Sequence, residues 1–152
     1  MVEIRTAPLL TLTLKVGPLQ KLGAGPMGER LVGVVDGGTF EGERLRGTVM
    51  PGGSDWIIAR PDGVMQLDVR LVLKTDDNAL IGMTYRGWRH GPEAVMARLG
   101  RGEPVDPSEY YFRTTVMFET GAAKYLWLTR MAAVGTGHRP PGGPVYHVFE
   151  VL

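Results

Sequence analysis

Read from the N-terminus, this chain is a series of short runs in which every second residue is apolar, each run ended by glycine or proline. From Leu10 to Val16, the residues Leu10, Leu12, Leu14 and Val16 fall on one side, and Thr11, Thr13 and Lys15 on the other. A period of two belongs to an extended strand with one buried face, and it limits the chain to sheet architectures. The 22 glycines and 11 prolines act as punctuation between runs and form no low-complexity tract. Further strands are predicted at Glu29–Val35, Leu45–Met50, Asp55–Arg60, Val64–Lys74, Leu80–Trp88, Tyr110–Glu119, Lys124–Val134 and Val145–Val151. Turn signals separate several of them: "DGG" at 36–38, "RPDG" at 60–63, "TDDN" at 75–78 and "PPGG" at 140–143. Pro92–Leu99 is the one convincing helix, with Pro92 suited to its first turn and Gly100 to its C-cap. Eight to ten antiparallel strands with one short helix predict an all-β fold closed into a barrel, because closure removes exposed sheet edges. The helix should plug or flank one opening.

The 152 residues show no internal break in composition, so a single β-barrel domain spanning 1–152 is expected. A hydrophobic share of 43% with 22% charged residues fits a globular chain, and a net charge of +1 argues against nucleic acid as a partner. The absence of cysteine excludes disulfides, thiolate metal sites and a cysteine nucleophile. No apolar run reaches the roughly 18 residues of a membrane span, and the opening "MVEIRTAPLL" lacks a signal-like stretch, so no membrane and a cytoplasmic location are expected.

Several motifs point to nothing further. "GAGPMG" at 23–28 matches G-x-G-x-x-G, but the β-branched "ERLVGVVDGG" after it reads as a strand. Dinucleotide chemistry needs a helix there to meet the pyrophosphate, so the match is accidental. His90, His138 and His147 form no ligand-spaced pair, and Ser54 and Ser108 lie in no nucleophile signature. Neither metal nor cofactor is expected.

The hairpin "GSDWIIARPDGVMQLDVRLVL" carries the informative charges. "RPDG" favours a type I turn with Gly63 in the left-handed bulge position, which sets Ala59 opposite Met65 and Trp56 opposite Asp68. In that register Asp55 shares a face with Ile57, Leu67, Val69 and Leu71, while Trp56, Gln66, Asp68 and Arg70 share the other. A slip of one residue would instead bring Asp55 opposite Asp68. A buried carboxylate without a partner costs several kcal/mol or shifts its pKa upward. Either aspartate therefore has a use or a structural partner, such as the Pro-Gly-Gly backbone for Asp55 and Arg70 or Arg113 for Asp68. Elsewhere, "MTYRGWRHG" brings Tyr85, "SEYYFRTTVMFETG" sets Tyr111 and Arg113 on one face, and "KYLWLTR" sets Tyr125, Trp127 and Thr129 together. Aromatics with a few convergent polar groups suit a small-molecule cavity, and they equally suit a dimer interface.

The ordered motifs "GGTFEG", "LRGTVMPGGSDW", "RPDGVMQLDVR", "TDDNALI", "DPSEYYFRTTVMFETG" and "YLWLTR" resemble an uncharacterised bacterial and fungal family. It is known as domain of unknown function thirty-two thirty-seven. The resemblance runs from about Leu10 to Val151 and implies a small antiparallel barrel with a central cavity. It brings no agreed activity. Some fungal relatives look like cofactor-free enzymes that cyclise aromatic polyketides by acid–base chemistry.

From residues and resemblance together, the expectation is a small hydrophobic or aromatic ligand handled inside a barrel by cofactor-free isomerisation, cyclisation, hydration or lyase chemistry. Asp55 or Asp68 would exchange the proton, Arg113 would hold an anionic oxygen, and Tyr85 or Tyr111 would donate a hydrogen bond. Trp56 and Trp127 would stack on the ligand, with His147 also at the pocket. The alternatives are a non-catalytic carrier for such a ligand and a structural subunit. A homo-oligomer, most simply a dimer, is expected.

Overall fold

A computed structural model describes residues 2–152. Ten antiparallel strands form one sheet: β1 (Thr6–Val16), β2 (Gln20–Gly25), β3 (Gly28–Glu41), β4 (Arg46–Val49), β5 (Gly53–Ala59), β6 (Met65–Thr75), β7 (Leu80–His90), β8 (Tyr111–Glu119), β9 (Ala133–His138) and β10 (Val145–Val151). Around the wall, β1 pairs with β10, β10 with β9, and so on to β6. β4 and β5 share the slot between β6 and β3, and β3 pairs back onto β1, which closes the barrel. The result is an eight-stave barrel with β2 attached outside it along the start of β3.

"DGG" is a bend inside β3, where a turn was expected. Through Val35 the strand pairs with β5, and from Gly38 it pairs with β4. The register against β1 slips between Lys15 and Val16 at the same point. Gly38 has φ +148°, and a Cβ there would be driven into the Thr13 carbonyl. Glycine lets β3 turn this corner and stay against β1. The "GAGPMG" stretch is the β2–β3 hairpin, with Gly25 paired to Gly28.

The Asp55 hairpin takes the register its turn implied. Gly63 sits at φ +87°, its N–H donating to the Arg60 carbonyl at 3.0 Å, and Ala59 opposes Met65. The helix, α1 (Glu93–Gly100), lies in the β7–β8 connection with Pro92 as its N-cap and Leu99 buried. Its left-handed stop is Gly102, at φ +75°, two residues beyond the expected Gly100.

The predicted strand Lys124–Val134 does not form. Ala123–Arg130 winds as a 3₁₀ helix, and β9 starts only at Ala133. Tyr125 and Leu128, three residues apart, are the buried pair, which is the period of a 3₁₀ turn. Asp77 of the β6–β7 turn accepts hydrogen bonds from Lys124 Nζ and Tyr125 Oη, both at 2.8 Å, and pins the segment across that end of the barrel. Inside, Leu12, Leu73, Ile81 and Leu128 are wholly buried.

Among the described residues, no helix is long and apolar enough to cross a membrane.

Candidate functional site

The end opposite the Tyr125 seal opens into a hollow. Its cavity volume is about 60 Å³, and about 600 Å³ of empty space surrounds it when the open solvent at its mouth is included. Leu14, Val35, Ile57 and Leu67 supply apolar wall, while Leu19 and Pro144 reach in from the β1–β2 and β9–β10 connections. The interior positions of the wall follow from strand alternation. One row crosses five strands in register: Gly33 opposite Asp55, Asp55 opposite Val69, Val69 opposite Tyr85, and Tyr85 opposite Val116. Val16 and Leu19 pack over Gly33, and Val69 flanks the other side, so the row sets the Asp55 carboxylate between apolar neighbours.

Asp55 keeps part of its surface open to the hollow, but its carboxylate is packed among apolar neighbours. The Asp68 backbone N–H donates to its Oδ1 at 3.2 Å. Burial pushes its pKa up to about 7, against the pull of that N–H and of the Arg89 and Arg139 charges, while the Asp68 charge adds to the rise. A carboxyl group at that value exchanges protons near neutral pH.

Tyr85 is 2% exposed and its hydroxyl has no hydrogen-bond partner. Its ring meets Tyr146 edge-on with centroids 4.9 Å apart, and Tyr146 in turn meets Phe112 at 5.4 Å. The two tyrosine hydroxyls are close enough to perturb each other's ionisation, but their alignment falls short of a hydrogen bond. Burial holds both well above the ordinary phenol value, so each stays protonated and able to donate. Arg89, at the far end of β7, lays its guanidinium over the Phe112 ring at 5.6 Å and leaves its Nε buried without a partner. Arg139, just past β9, also lines the hollow, and its backbone N–H donates to the Tyr110 hydroxyl at 2.9 Å. Among the described residues, neither arginine has a carboxylate within 4.0 Å. The hollow thus gathers a proton-exchanging carboxyl, two phenols and two cations, several of their polar atoms unsatisfied.

Of the residues singled out in the sequence, Asp55 and Tyr85 face this hollow. The others do not: strand parity turns Trp56, Asp68, Tyr111, Arg113 and His147 outward, and Trp127 lies on the 3₁₀ segment at the sealed end. Asp68 is on the outer face, with Arg86 Nε at 3.6 Å. Arg113 is also outside, lying over the Tyr111 ring at 5.3 Å and donating to the Phe112 carbonyl at 2.9 Å, so the expected carboxylate–Arg113 pair is absent. Tyr111 stacks on His90 with centroids 4.9 Å apart, on the outer surface. Trp56 is 47% exposed, and its Nε1 donates to Ser54 Oγ at 3.2 Å. His147 lies outside, its Nδ1 3.2 Å from Thr11 Oγ1. Trp127 sits at the sealed end, with Arg44 stacked 4.1 Å above its ring. Arg89 and Tyr146 were legible by the same parity: "MTYRGWRHG" sets Met83, Tyr85, Gly87 and Arg89 on one face, and "VYHVFEV" sets Tyr146 beside Val148. Arg139 lies beyond any periodic run and carries no such signal. Among the described residues, no group of three or more His, Asp or Glu side chains comes together to hold a metal.

Comparison with known proteins now bears on the chain as a whole. Residues 4–151 match the family described as "Protein of unknown function (DUF3237)". The chain belongs to this family. A UPF0311 protein of Rhodopseudomonas palustris is 36% identical over 149 residues, covering 98% of this chain and 97% of the relative. The crystal structure of that conserved protein of unknown function superposes with a TM-score of 0.94 at 35% identity, over 100% of this chain and 99% of the other. A β-barrel-like protein of Acinetobacter baumannii gives a TM-score of 0.86 at 36% identity, over 100% and 98% of the two chains. A more distant barrel, described as an enzyme from Penicillium herquei, shares the fold with a TM-score of 0.75 at 20% identity, over 100% and 97%.

Proposed function

We propose that this DUF3237 member is a cofactor-free acid–base enzyme acting on a small, largely apolar molecule inside the barrel. One observation carries the reading: the Asp55 carboxyl, titrating near pH 7, faces the same hollow as the unpartnered Tyr85 hydroxyl and Arg89 Nε. A carboxylate in apolar surroundings accepts a proton from carbon or hydroxyl more readily than one in water. In the reaction, ionised Asp55 takes a proton from a C–H beside a carbonyl, or from a hydroxyl. The negative charge moves onto the substrate oxygen, where Tyr85, Tyr146 and the arginines donate to it. Asp55 then returns the proton to a different atom, which gives isomerisation, or ring closure where the oxygen has attacked an alkene. The reading is supported by the Penicillium herquei protein of the same fold, which is described as an enzyme.

The test is turnover against pH on substrates found by screening small enols, phenols and unsaturated ketones. Native protein should show a rate that rises with an apparent pKa near 7, the value expected of Asp55. Asp55→Asn should keep the fold and lose at least about 100-fold in kcat. Full activity in Asp55→Asn would leave the hollow as the binding site of a carrier.

A further inference from the structure

The charges in the hollow do not balance. Two guanidiniums, Arg89 from β7 and Arg139 from the β9–β10 connection, face one carboxyl, Asp55 from β5. The remaining ionisable groups turned toward Asp55 or the arginines are Tyr85, Tyr146 and Tyr110, which are neutral phenols, and Asp68, whose side chain lies outside with Arg86. Asp55 does not neutralise either arginine through an ion pair within 4.0 Å. Arg89 is disfavoured both by burial and by the neighbouring Arg139 charge. Two cations held near each other, one of them Arg89 with a buried and unpartnered Nε, form a costly arrangement, and an incoming anion would relieve it. The Arg89 guanidinium also lies over Phe112, 5.6 Å from the ring centre, with its Nε unpartnered, and a planar fork of donors suits a planar carboxylate. Leu14, Ile57, Leu67, Val69 and Phe112 give the same hollow an apolar wall, so the rest of the ligand is largely hydrocarbon.

We propose that the hollow binds a small organic carboxylate, its anionic end held by Arg89 and Arg139 and its apolar body lying along Ile57 and Phe112, with the Asp55 carboxyl beside that body. This rests on the proposed active site and names its substrate class. The small cavity volume, about 60 Å³, favours an unsaturated or monocyclic acid over a larger one. A second negative charge in the same hollow opposes the first, so binding is tightest when Asp55 carries its proton, and in the complex Asp55 ionises to become the base only at a higher pH than in the free protein.

The experiment is calorimetric titration of the full chain at pH 6 and pH 8.5 with crotonate and benzoate, each against its neutral amide. At pH 6 the acids should bind at least about tenfold more tightly than crotonamide and benzamide, and this preference should shrink at pH 8.5. Arg139→Gln and Arg89→Gln should each weaken acid binding by about tenfold or more and leave amide binding unchanged. Arg139 is at the end of the barrel, so its variant gives a reading even where Arg89→Gln fails to fold. Asp55→Asn should keep acid affinity at pH 6 and lose its decline toward pH 8.5. Amides binding as well as acids, arginine variants that weaken both alike, or no binding of either acid would each overturn the carboxylate assignment. None of these is a turnover measurement, so they are independent of the kinetic test of proton transfer by Asp55.

Discussion

Asp55 has a cost that can be measured at the scale of a single side chain. Its pKa in the folded chain is about 7, against an ordinary 3.8. Between those values the folded state holds a proton that the unfolded state has released. The contribution of Asp55 to stability is therefore highest below about pH 4, falls as pH rises through the interval to about 7, and is flat above it. The full interval corresponds to no more than about 4 kcal/mol. In urea titrations, Asp55→Asn should abolish this decline and be the more stable protein at pH 8, by a few kcal/mol at most. A native protein equally stable at pH 5 and pH 8 would mean that Asp55 is ionised at little cost. Tyr85 gives a paired case. Its hydroxyl is buried without a partner, so Tyr85→Phe should leave the unfolding midpoint unchanged or raise it. The same change should lower turnover by roughly 10- to 100-fold where that hydroxyl donates to the developing oxyanion. Loss of stability together with activity would assign Tyr85 to the scaffold.

Among the elements, the β3 bend is the most exacting. Gly38→Ala drives a methyl group into the Thr13 carbonyl at the point where β3 and β1 close the barrel. A loss on the order of 3 kcal/mol or more is expected, read as a lower urea midpoint. Gly63→Ala, with nothing within 4 Å of its added Cβ, should cost only the strain of its positive φ, on the order of 1 kcal/mol. Alternation made the strands legible, and "RPDG" fixed the hairpin register that turns Asp55 inward. Two elements were not legible, for different reasons. β2 has every residue exposed and so carries no apolar period. The Tyr125 segment has apolar residues that satisfy a period of two as well as of three, and its true partner, Asp77, is 48 residues away. The candidate site suffered from the second kind of limit. Arg113 and His147 have the chemistry a pocket needs, and only the parity of β8 and β10 turns them outward. Arg139 depends on a loop path that local sequence does not specify.

At the scale of the whole molecule, closure joins the ends of the chain. β1 pairs with β10 through Thr6 and Val151, and every stave has two neighbours. No stave can detach without opening the wall, so far-UV circular dichroism and tyrosine emission should report one coincident urea transition. Two separated transitions would argue against a single domain. Folding should be slow for the size, because the closing contact spans almost the whole sequence. Closure also determines what a ligand can report. Trp56, Trp88 and Trp127 all lie outside the hollow, so tryptophan emission should change little on binding. The near-ultraviolet circular dichroism of Tyr85 and Tyr146 should change instead. Strong tryptophan quenching would put the ligand on the outer surface. The row from Gly33 through Asp55, Val69 and Tyr85 to Val116 has one further consequence. Each stave contributes a single letter to that row, and the letters on either side of it face away. The chemistry inside is therefore spelled by scattered single positions, and the wall's shape by the hydrogen-bonded backbone that all residues share. A descendant could exchange its reaction with a handful of separate point changes, none of which moves a strand, so shape alone is a poor guide to what any one member of the lineage makes.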